Sequence, residues 1–289
     1  MKKWIFVLST LVLLPAIAMC KTTGSCAPTD EDGSEIGTCT WTLDGDTLTF
    51  SGRGPMKDYG RIKQGPSNQS TTDAPWNDRD PSFDTGSLYQ IRNVVVEDGI
   101  TSVGKNALFA ASMITSITIG DDVKTIGDHA FYYCQARNVQ LGKNLETIGN
   151  NAFHTNRITN LVLPDKLKEI GGSALWGVLD ESIVLPASVE SVDLGLPVYH
   201  QLHLYCEEKN EQFCKDIITK NNNNSYYSQY SANLSYETYE KKGDRYIFGG
   251  TAYKSIADYY NNEPVKRIYT IEEANRVAGD KNRVSIRYR

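Results

Sequence analysis

The sequence predicts a mainly β fold with short helical or 3₁₀ segments, built as a solenoid of stacked repeats with a parallel sheet. The first observation is a turn marker, an apolar residue followed by glycine or aspartate, which recurs at intervals of 23, 22, 22 and 22 residues. Its copies are Val103-Gly104, Ile126-Gly127, Ile148-Gly149, Ile170-Gly171 and Val192-Asp193. A fixed period of this length is typical of repeat architectures, in which each coil buries its apolar residues only against its neighbours.

The second observation is a short strand pattern that keeps the same period. Alternating apolar and polar runs end at Val96, Ile119, Leu141, Leu163 and Leu185. Because successive strand side chains point to opposite faces, each run has an inward and an outward set. The residues expected to point inward, in one continuous parallel sheet, are Val94, Val96, Ile117, Ile119, Val139, Leu141, Leu161 and Leu163.

The third observation is an Ala-Phe or Ala-Leu pair at Ala107-Leu108, Ala130-Phe131, Ala152-Phe153 and Ala174-Leu175. Together with runs such as Leu161-Val162-Leu163-Pro164, and with Cys134, these columns resemble the BspA-like leucine-rich repeats. The resemblance extends back to the lead-in Cys39-Thr40-Trp41 and covers roughly residues 39–192. It implies a right-handed leucine-rich repeat solenoid with an N-terminal hairpin cap. It also implies a secreted or surface-attached bacterial protein with an adhesive role.

The N-terminus predicts export. Lys2-Lys3 precede an apolar stretch too short to span a bilayer comfortably, and Ala16-Ile17-Ala18 fits a small-x-small cleavage site. Residues 1–19 are therefore interpreted as a signal peptide and 20–38 as a tether. Cys20 also fits a lipoprotein box, so lipidation and plain secretion both stay open, and a lipid anchor would be the only membrane attachment. The formal net charge of −5 argues against a nucleic-acid partner.

Cysteine usage indicates an oxidising compartment. The spacing predicts two local disulfides, Cys26–Cys39 and Cys206–Cys214, with Cys134 as a buried free thiol. A zinc site at His200, His203 and the latter cysteines is the less favoured alternative.

The segments on either side of the repeats are expected to differ from them. Residues 39–90 are predicted as a hairpin with a type I′ turn at Asp44-Gly45, pairing Trp41 with Leu48, followed by a loop pinned by Trp76. The repeats occupy 91–204. Residues 205–224 are interpreted as a C-terminal cap and linker, and 225–289 as a small tyrosine-rich α+β module. Its tyrosines either stack on sugars or cover a small sheet.

No catalytic motif is recognisable, and the chemistry predicted is binding. His129 and His154 are expected not to converge, and aspartates at the turns, such as Asp121-Asp122, favour solvated turns over a calcium ladder. The outward strand residues form two columns that would line one face. The candidate ligand-binding residues are Asn93, Val95, Ser116, Thr118, Asn138, Gln140, Asn160, Val162, Ser182 and Val184.

The sequence therefore predicts an exported, non-enzymatic repeat protein, without cofactor or metal, that binds a protein or glycan partner at the cell surface or outside the cell. The alternative is a structural or assembly component of the envelope, with the repeats as a spacer. The identity of the ligand and the oligomeric state are not encoded in any recognisable pattern.

Overall fold

The fold was obtained as a computed structural model, which describes residues 22–64, 69–77, 90–179, 182–193, 202–222, 234–242, 245–248, 251–253 and 269–270. The described chain is mainly strand with one short α-helix. In this part of the chain, every helix is too short or too polar to cross a bilayer.

In chain order the strands are β1 (Thr22–Ser25), β2 (Thr40–Asp44), β3 (Thr47–Ser51), β4 (Gly54–Pro55), β5 (Arg61–Gln64), β6 (Gln69–Thr72), β7 (Asn93–Val96), β8 (Ile100–Val103), β9 (Ser116–Ile119), β10 (Thr125–Ile126), β11 (Asn138–Gln140), β12 (Thr147–Ile148), β13 (Glu169–Ile170), β14 (Ser182–Leu185), β15 (Ser191–Val192), β16 (Leu202–Glu207), β17 (Leu234–Lys242), β18 (Arg245–Phe248), β19 (Thr251–Tyr253) and β20 (Tyr269–Thr270). A 3₁₀ turn at Glu208–Asn210 leads into helix α1 (Glu211–Asn222).

Each repeat contributes a strand to two different sheets. The first sheet has the order β1-β2-β3-β7-β9-β11, and its members from β3 onward are parallel. The second sheet has the order β15-β13-β12-β10-β8-β4 and is parallel throughout. In it, Ile148 pairs with both Ile126 and Ile170, and each of these isoleucines lies immediately before the glycine of its turn marker.

The core lies between the two sheets and is completed by the Ala-Phe and Ala-Leu pairs. The turn-marker isoleucines, Phe131 and Phe153 are buried, and the two phenylalanine rings stack with centroids 5.3 Å apart. Burying a side chain of this kind contributes about 1.5–3 kcal/mol. Glycine is required at the turn marker because a Cβ on Gly104 would lie 1.8 Å from the Lys57 carbonyl oxygen.

The N-terminal hairpin extends the first sheet, and its register differs from the prediction. Trp41 pairs with Phe50 and Leu43 with Leu48, so the two-residue turn is Gly45-Asp46. Gly45 has a φ of 63°, whereas Asp46 is not among the residues with positive φ. This pattern indicates a type II′ turn, not the predicted type I′ turn. The prediction was wrong because an Asp-Gly pair suggests a turn but does not determine which residue comes first.

Trp76 anchors the segment after the hairpin, which was predicted as a loop but contains the antiparallel strands β5 and β6. The Trp76 ring is 1% exposed and packs edge-on against Trp41, Phe50 and Tyr59. Its indole nitrogen donates a 2.9 Å hydrogen bond to the Ala107 carbonyl oxygen. Burial raises the pKa of the Tyr59 hydroxyl, with the Asp73 carboxylate adding to the shift.

The expected continuous sheet is interrupted at the fourth repeat. Leu161 and Leu163 are buried, as predicted, but residues 160–163 form no strand. Asn160 has a φ of 58°, a left-handed conformation that takes the chain out of the extended run. Val139 and Leu141 are therefore only partly buried, because β11 lacks a strand neighbour on that side. The second sheet continues past this point without a break.

The third sheet contains the C-terminal strands, in the order β14-β16-β17-β18-β19-β20. In it β17 and β18 pair antiparallel, with Lys242 opposite Arg245. Lys241 Nζ lies 3.1 Å from Asp165 Oδ1 in the fourth repeat. Within this sheet β16, which extends into the predicted cap and linker at 205–224, pairs with β17 of the predicted module at 225–289. The predicted signal peptide lies outside the described residues.

Two segments that flank the repeats contain regular secondary structure. Residues 20–38, interpreted as a tether, include β1, which pairs with β2 along its whole length. Residues 205–224, interpreted as a C-terminal cap and linker, include α1. Cys214 and Ile217 of α1 are buried, and Phe213 and Ile218 pack against the core. This spacing of three and four residues is the signal of an amphipathic helix and was present in the sequence.

Candidate functional site

The outward residues of the first sheet lie in two rows that cross the strands. Pairing of β2, β3, β7, β9 and β11 places side by side the hydroxyl row, which is Thr42, Thr49, Val95, Thr118 and Gln140. The same strands from β3 onward carry the amide row, which is Thr47, Asn93, Ser116 and Asn138. With about 4.8 Å between strands, the hydroxyl row is about 19 Å long.

The amide row is hydrogen-bonded within itself. Ser116 Oγ donates to Asn93 Oδ1 at 2.7 Å, and Asn93 Nδ2 donates to Asp46 Oδ1 at 3.3 Å. These bonds join the hairpin to the first two repeats across the outer face of the sheet. Much of the polar capacity of the amide row is therefore used to align the strands.

The hydroxyl row has spare hydrogen-bonding capacity. Among the described residues, its single side-chain hydrogen bond is the 3.4 Å contact from Thr42 Oγ1 to Thr23 Oγ1. Thr49, Thr118 and Gln140 have side-chain donors and acceptors free for water or a ligand. No member of the row carries a charge. The row can therefore form neutral hydrogen bonds with a partner that lies across the strands.

Four of the predicted ligand-binding residues do not join these rows. Asn160 and Val162 lie where the first sheet is interrupted, and the Val162 side chain is 78% exposed. Ser182 and Val184 belong to β14, which is in the third sheet. Strand pairing thus brings together six of the ten predicted residues, from Asn93 to Gln140.

The threonines of the hairpin were missed as members of this face. The hairpin was expected to close the end of the first coil, whereas β3 pairs edge to edge with β7 and lengthens the sheet. The alternation in Thr40-Trp41-Thr42 and Thr47-Leu48-Thr49 was the available signal. It predicts polar side chains on one face of both strands.

The aspartates at the strand ends form hydrogen bonds from one turn to the next. Asp98 Oδ1 accepts from the Asp121 amide at 2.6 Å, and Asp121 Oδ1 accepts from the Lys143 amide at 3.0 Å. The Lys143 ammonium, which contacts the other carboxylate oxygen, holds the pKa of Asp121 below its usual value. These carboxylates therefore cap backbone amides of the neighbouring repeat. Within the described residues, no group of three or more potential ligands could hold a metal ion.

A stack of aromatic rings runs along the repeats and was not predicted. Phe109, Tyr132, His154 and Trp176 occupy the position after each Ala-Phe or Ala-Leu pair. Their successive ring centroids are 4.8, 4.9 and 5.0 Å apart, with interplanar angles of 6°, 17° and 10°. The Arg61 guanidinium lies 5.4 Å from the Phe109 ring centre. The rings face one another, so their faces are largely used within the stack.

The two histidines near this stack converge, contrary to the expectation. His129 and His154 lie on Tyr132, with centroids 5.6 and 4.9 Å from the tyrosine ring. Desolvation by burial lowers the pKa of both imidazoles below the usual value. The charge of Arg61 lowers the pKa of His129 further, and Asp128 opposes it. They were expected to stay apart because they lie on opposite sides of the Ala-Phe pair in sequence, but stacking of the repeats brings them to one tyrosine.

A shallow groove of about 310 Å³ lies on the outer side of the second sheet. Its polar lining includes Asp128, Asn150 and Glu169, without histidine or cysteine. Asp128 Oδ1 accepts hydrogen bonds from both the backbone and the side chain of Asn150, at 2.8 and 3.3 Å. The groove therefore contains a carboxylate that is already engaged in hydrogen bonds with Asn150.

Both predicted disulfides are present, Cys26–Cys39 and Cys206–Cys214. The second bond removes these cysteines from the alternative zinc site. Cys134 is free and buried, as predicted, and burial raises the pKa of its thiol. Cys20 lies outside the described residues, and its lipidation stays a prediction.

The repeats are of the BspA type. The sequence model of the BspA type leucine-rich repeat region matches residues 83–196 in six copies, which is less than half of the chain. The resemblance predicted from the residue columns is thus confirmed for the repeat region. No curated protein matches the chain.

The fold is similar to that of a leucine-rich repeat protein from Eubacterium ventriosum, with 22% identity and a TM-score of 0.51. The match covers 66% of this chain and 45% of that one, so the chain spans under half of its relative's length. The pneumococcal vaccine antigen PcpA matches at 13% identity and a TM-score of 0.29, covering 62% of this chain and 64% of that one. A leucine-rich cell surface protein from Faecalibacterium prausnitzii matches at 14% identity and a TM-score of 0.19, covering 64% and 71%. The latter two scores are too low to support a structural argument.

Proposed function

We propose that this is an exported, non-enzymatic leucine-rich repeat protein that binds a protein or glycan partner at the bacterial cell surface. In this proposal the repeats stack as a right-handed solenoid, and the partner lies across the outer face of the first sheet. The hydroxyl row supports the proposal, because Thr49, Thr118 and Gln140 offer free hydrogen-bonding groups on three strands of one sheet. A row of this kind suits a partner larger than a small molecule.

Two further features agree with an extracellular role. Disulfides persist in oxidising compartments, and this chain has one on each side of the repeats. The residues before β1 have the composition of a secretion signal. Incorporation of labelled fatty acid, lost in Cys20→Ala, would separate lipid anchoring from plain secretion.

The second candidate is a structural or assembly component of the envelope. It is favoured by the third sheet, which starts from β14 of the repeats and continues through five further strands. In that case the repeats act as a spacer, and the C-terminal strands make the functional contact.

The test is a pair of double variants that differ only in the sheet they alter. Thr118→Arg with Gln140→Arg changes the hydroxyl row, and Thr125→Arg with Thr147→Arg changes the second sheet. Each pair combines one exposed and one half-buried residue on paired strands. Surface substitutions usually change stability by no more than about 0.5 kcal/mol, so all the proteins should fold.

Partners would first be retained from surface extracts and matrix proteins on the mature protein, and affinity would then be measured by biolayer interferometry. We expect the hydroxyl-row variant to bind at least tenfold more weakly, a loss of about 1.4 kcal/mol. The second-sheet variant should bind like the parent. If the folded hydroxyl-row variant and the parent bind with equal affinity, the partner contacts another part of the protein. Binding confined to residues 225–289 would favour the second candidate.

A further inference from the structure

Two arginines lie close together along the backbone at the start of β11, the last strand of the first sheet. Arg137 immediately precedes β11, and the Arg157 amide donates a 2.9 Å hydrogen bond to the carbonyl oxygen of Ala136. The Thr159 amide donates to the Arg137 carbonyl oxygen at 3.1 Å. The backbones of the two arginines thus flank one contact between neighbouring repeats, and both side chains are exposed.

Neither guanidinium is neutralised within the part of the chain that the structure describes. No ion pair there includes Arg137 or Arg157. By contrast, Lys105, Lys143 and Lys168 each contact a carboxylate of a neighbouring repeat. In a chain with a net charge of −5, two adjacent unpaired arginines are a local exception. A guanidinium can bind a carboxylate or another oxyanion through two parallel hydrogen bonds.

The arginines lie at the start of the strand that carries the last member of the hydroxyl row. Gln140, the last member of the row, lies three residues after Arg137, about 10 Å along an extended strand. Because β7, β9 and β11 are parallel, their first residues lie together at one end of the strands and their last residues lie together at the other end. The acidic turns at Asp98 and Asp121 follow the strand ends. At the end where the strands start, Asp46 lies beside β7 and the unpaired arginines lie beside β11, whereas Asp98 and Asp121 lie at the opposite end.

We propose that the hydroxyl row, together with Arg137 and Arg157, binds a polysaccharide that carries carboxylate groups. The arginines would hold the carboxylates, and Thr49, Thr118 and Gln140 would exchange hydrogen bonds with the sugar hydroxyls. This inference rests on the proposed function, because it assigns the ligand class to the same face.

The composition of the face favours a polysaccharide over a protein. Protein interfaces have an apolar centre with aromatic anchors. The hydroxyl row contains no aromatic residue, and Val95 is its single apolar member. The aromatic rings of the repeats are stacked on one another elsewhere and so offer few faces to a sugar. Recognition on the first sheet therefore depends on hydrogen bonds and charge, and it should weaken as salt screens the arginines.

The experiment measures binding of the mature protein to immobilised polygalacturonate, with dextran as the uncharged comparison. Arg137→Gln with Arg157→Gln removes both charges. Arg53→Gln with Lys124→Gln is the control, because it removes two exposed positive charges at a distance from β11. Thr49→Val with Thr118→Val removes two hydroxyls at nearly constant volume. Unfolding midpoints of all variants would be compared with that of the parent.

We expect the parent to bind polygalacturonate and not dextran, with affinity falling as NaCl is raised. The Arg137/Arg157 variant should bind at least tenfold more weakly, and the control should bind like the parent. Each lost hydroxyl should weaken binding about twofold to tenfold. Equal loss in the control and the Arg137/Arg157 variant, or equal binding to dextran, would overturn the inference. If the parent ignores polygalacturonate while another partner is lost on Thr118→Arg with Gln140→Arg, the inference fails and the proposed function stands.

Discussion

His154 and Trp176, one repeat apart, stack ring on ring with centroids 5.0 Å apart and planes 10° apart. On its other face His154 stacks on Tyr132, so the imidazole is enclosed between two aromatic rings. A side chain on the outside of a repeat is thereby made part of the contact between three successive repeats. Protonation of this imidazole should therefore affect how stably the repeats pack on one another.

The first prediction concerns pH. Burial lowers the pKa of His129 and His154 in the folded protein, so the unfolded chain binds protons more readily. The stabilisation from the neutral imidazoles is present above pH 6.5 and is lost as the pH falls below that value. Urea unfolding at pH 7.5 and pH 5.5 should show a smaller free energy of unfolding at the lower pH.

The double variant His129→Gln with His154→Gln isolates this effect. It should lose less stability between the two pH values than the parent does, even if its stability at pH 7.5 is lower. An identical pH dependence in both proteins would show that other groups cause it.

The second prediction concerns the inward face of the second sheet. Ile126→Asp should abolish cooperative folding, because Ile126 is fully buried and an unpaired buried charge costs several kcal/mol. That cost is comparable with the roughly 5–15 kcal/mol stability of a domain. Thr125→Asp is the matched control, since Thr125 is the exposed neighbour in the same strand. Circular dichroism melting would separate the two, and a cooperative transition of Ile126→Asp near that of the parent would contradict the inward assignment.

The third prediction concerns the anchor of the long loop. Trp76→Ala should lower the free energy of unfolding by about 3–5 kcal/mol, as large-to-small core substitutions of this type do. Trp76→Phe should lose less, since a phenylalanine ring keeps the contacts with Phe50 and Tyr59 but not the hydrogen bond to Ala107. Ile62→Ala, at a position 46% exposed, serves as the control. Urea titration would show the order, and a Trp76→Ala variant as stable as the control would refute it.

The fourth prediction concerns Cys134. Its thiol is fully buried and donates to the Leu108 carbonyl oxygen at 3.1 Å, and burial raises its pKa. Iodoacetamide should therefore leave Cys134 unmodified in the native protein at pH 8 and should alkylate it in urea. Mass spectrometry of a non-reducing digest reads out both states. Rapid alkylation under native conditions would place the thiol at the surface.

The fifth prediction concerns a column of alternating charge. Lys124, Glu146, Lys168 and Glu190 hold the same place in four repeats, and Lys168 Nζ lies 2.6 Å from Glu146 Oε2. The pKa of Glu146 is lowered by the hydrogen bond and charge of Lys168, with Lys124 adding to the shift. Glu146→Lys should lower the melting temperature at low salt, since it sets like charges beside one another. Because these groups are exposed, the difference should shrink in 0.5 M NaCl, and a loss independent of salt would point to another cause.

The local pattern determined the contents of each repeat. Period-two alternation was enough to place Val94, Val96, Ile117 and Ile119 in the core, because strand side chains alternate regardless of what the strand packs against. The short separations between cysteines were likewise enough to predict both disulfides. In these cases the signal lies in residues close together in the chain.

The tertiary structure decided which outward residues form one surface. Asn160 and Val162 continue the predicted columns in sequence, but the left-handed backbone at Asn160 takes them out of the sheet. Thr42 and Thr49 lie outside the repeats in sequence, but pairing of β3 with β7 brings them onto the face. A column in sequence records position along the chain, whereas a surface depends on which strands are hydrogen-bonded. The backbone conformation of one residue can break that pairing without changing the period.

The same distinction explains the aromatic stack. The residues after the Ala-Phe and Ala-Leu pairs were visible in the sequence as Phe109, Tyr132, His154 and Trp176, but their side chains differ in chemistry and so did not form an apparent column. Only the spacing of the coils, which sets the ring centroids 4.8–5.0 Å apart, turns them into a single stack. The sequence by itself therefore determined the repeat, its inward residues and its disulfides, because these follow from local periodicity. The continuity of the outer face of the first sheet and the contacts between repeats were decided by tertiary structure, because they depend on strand pairing and on the spacing between repeats.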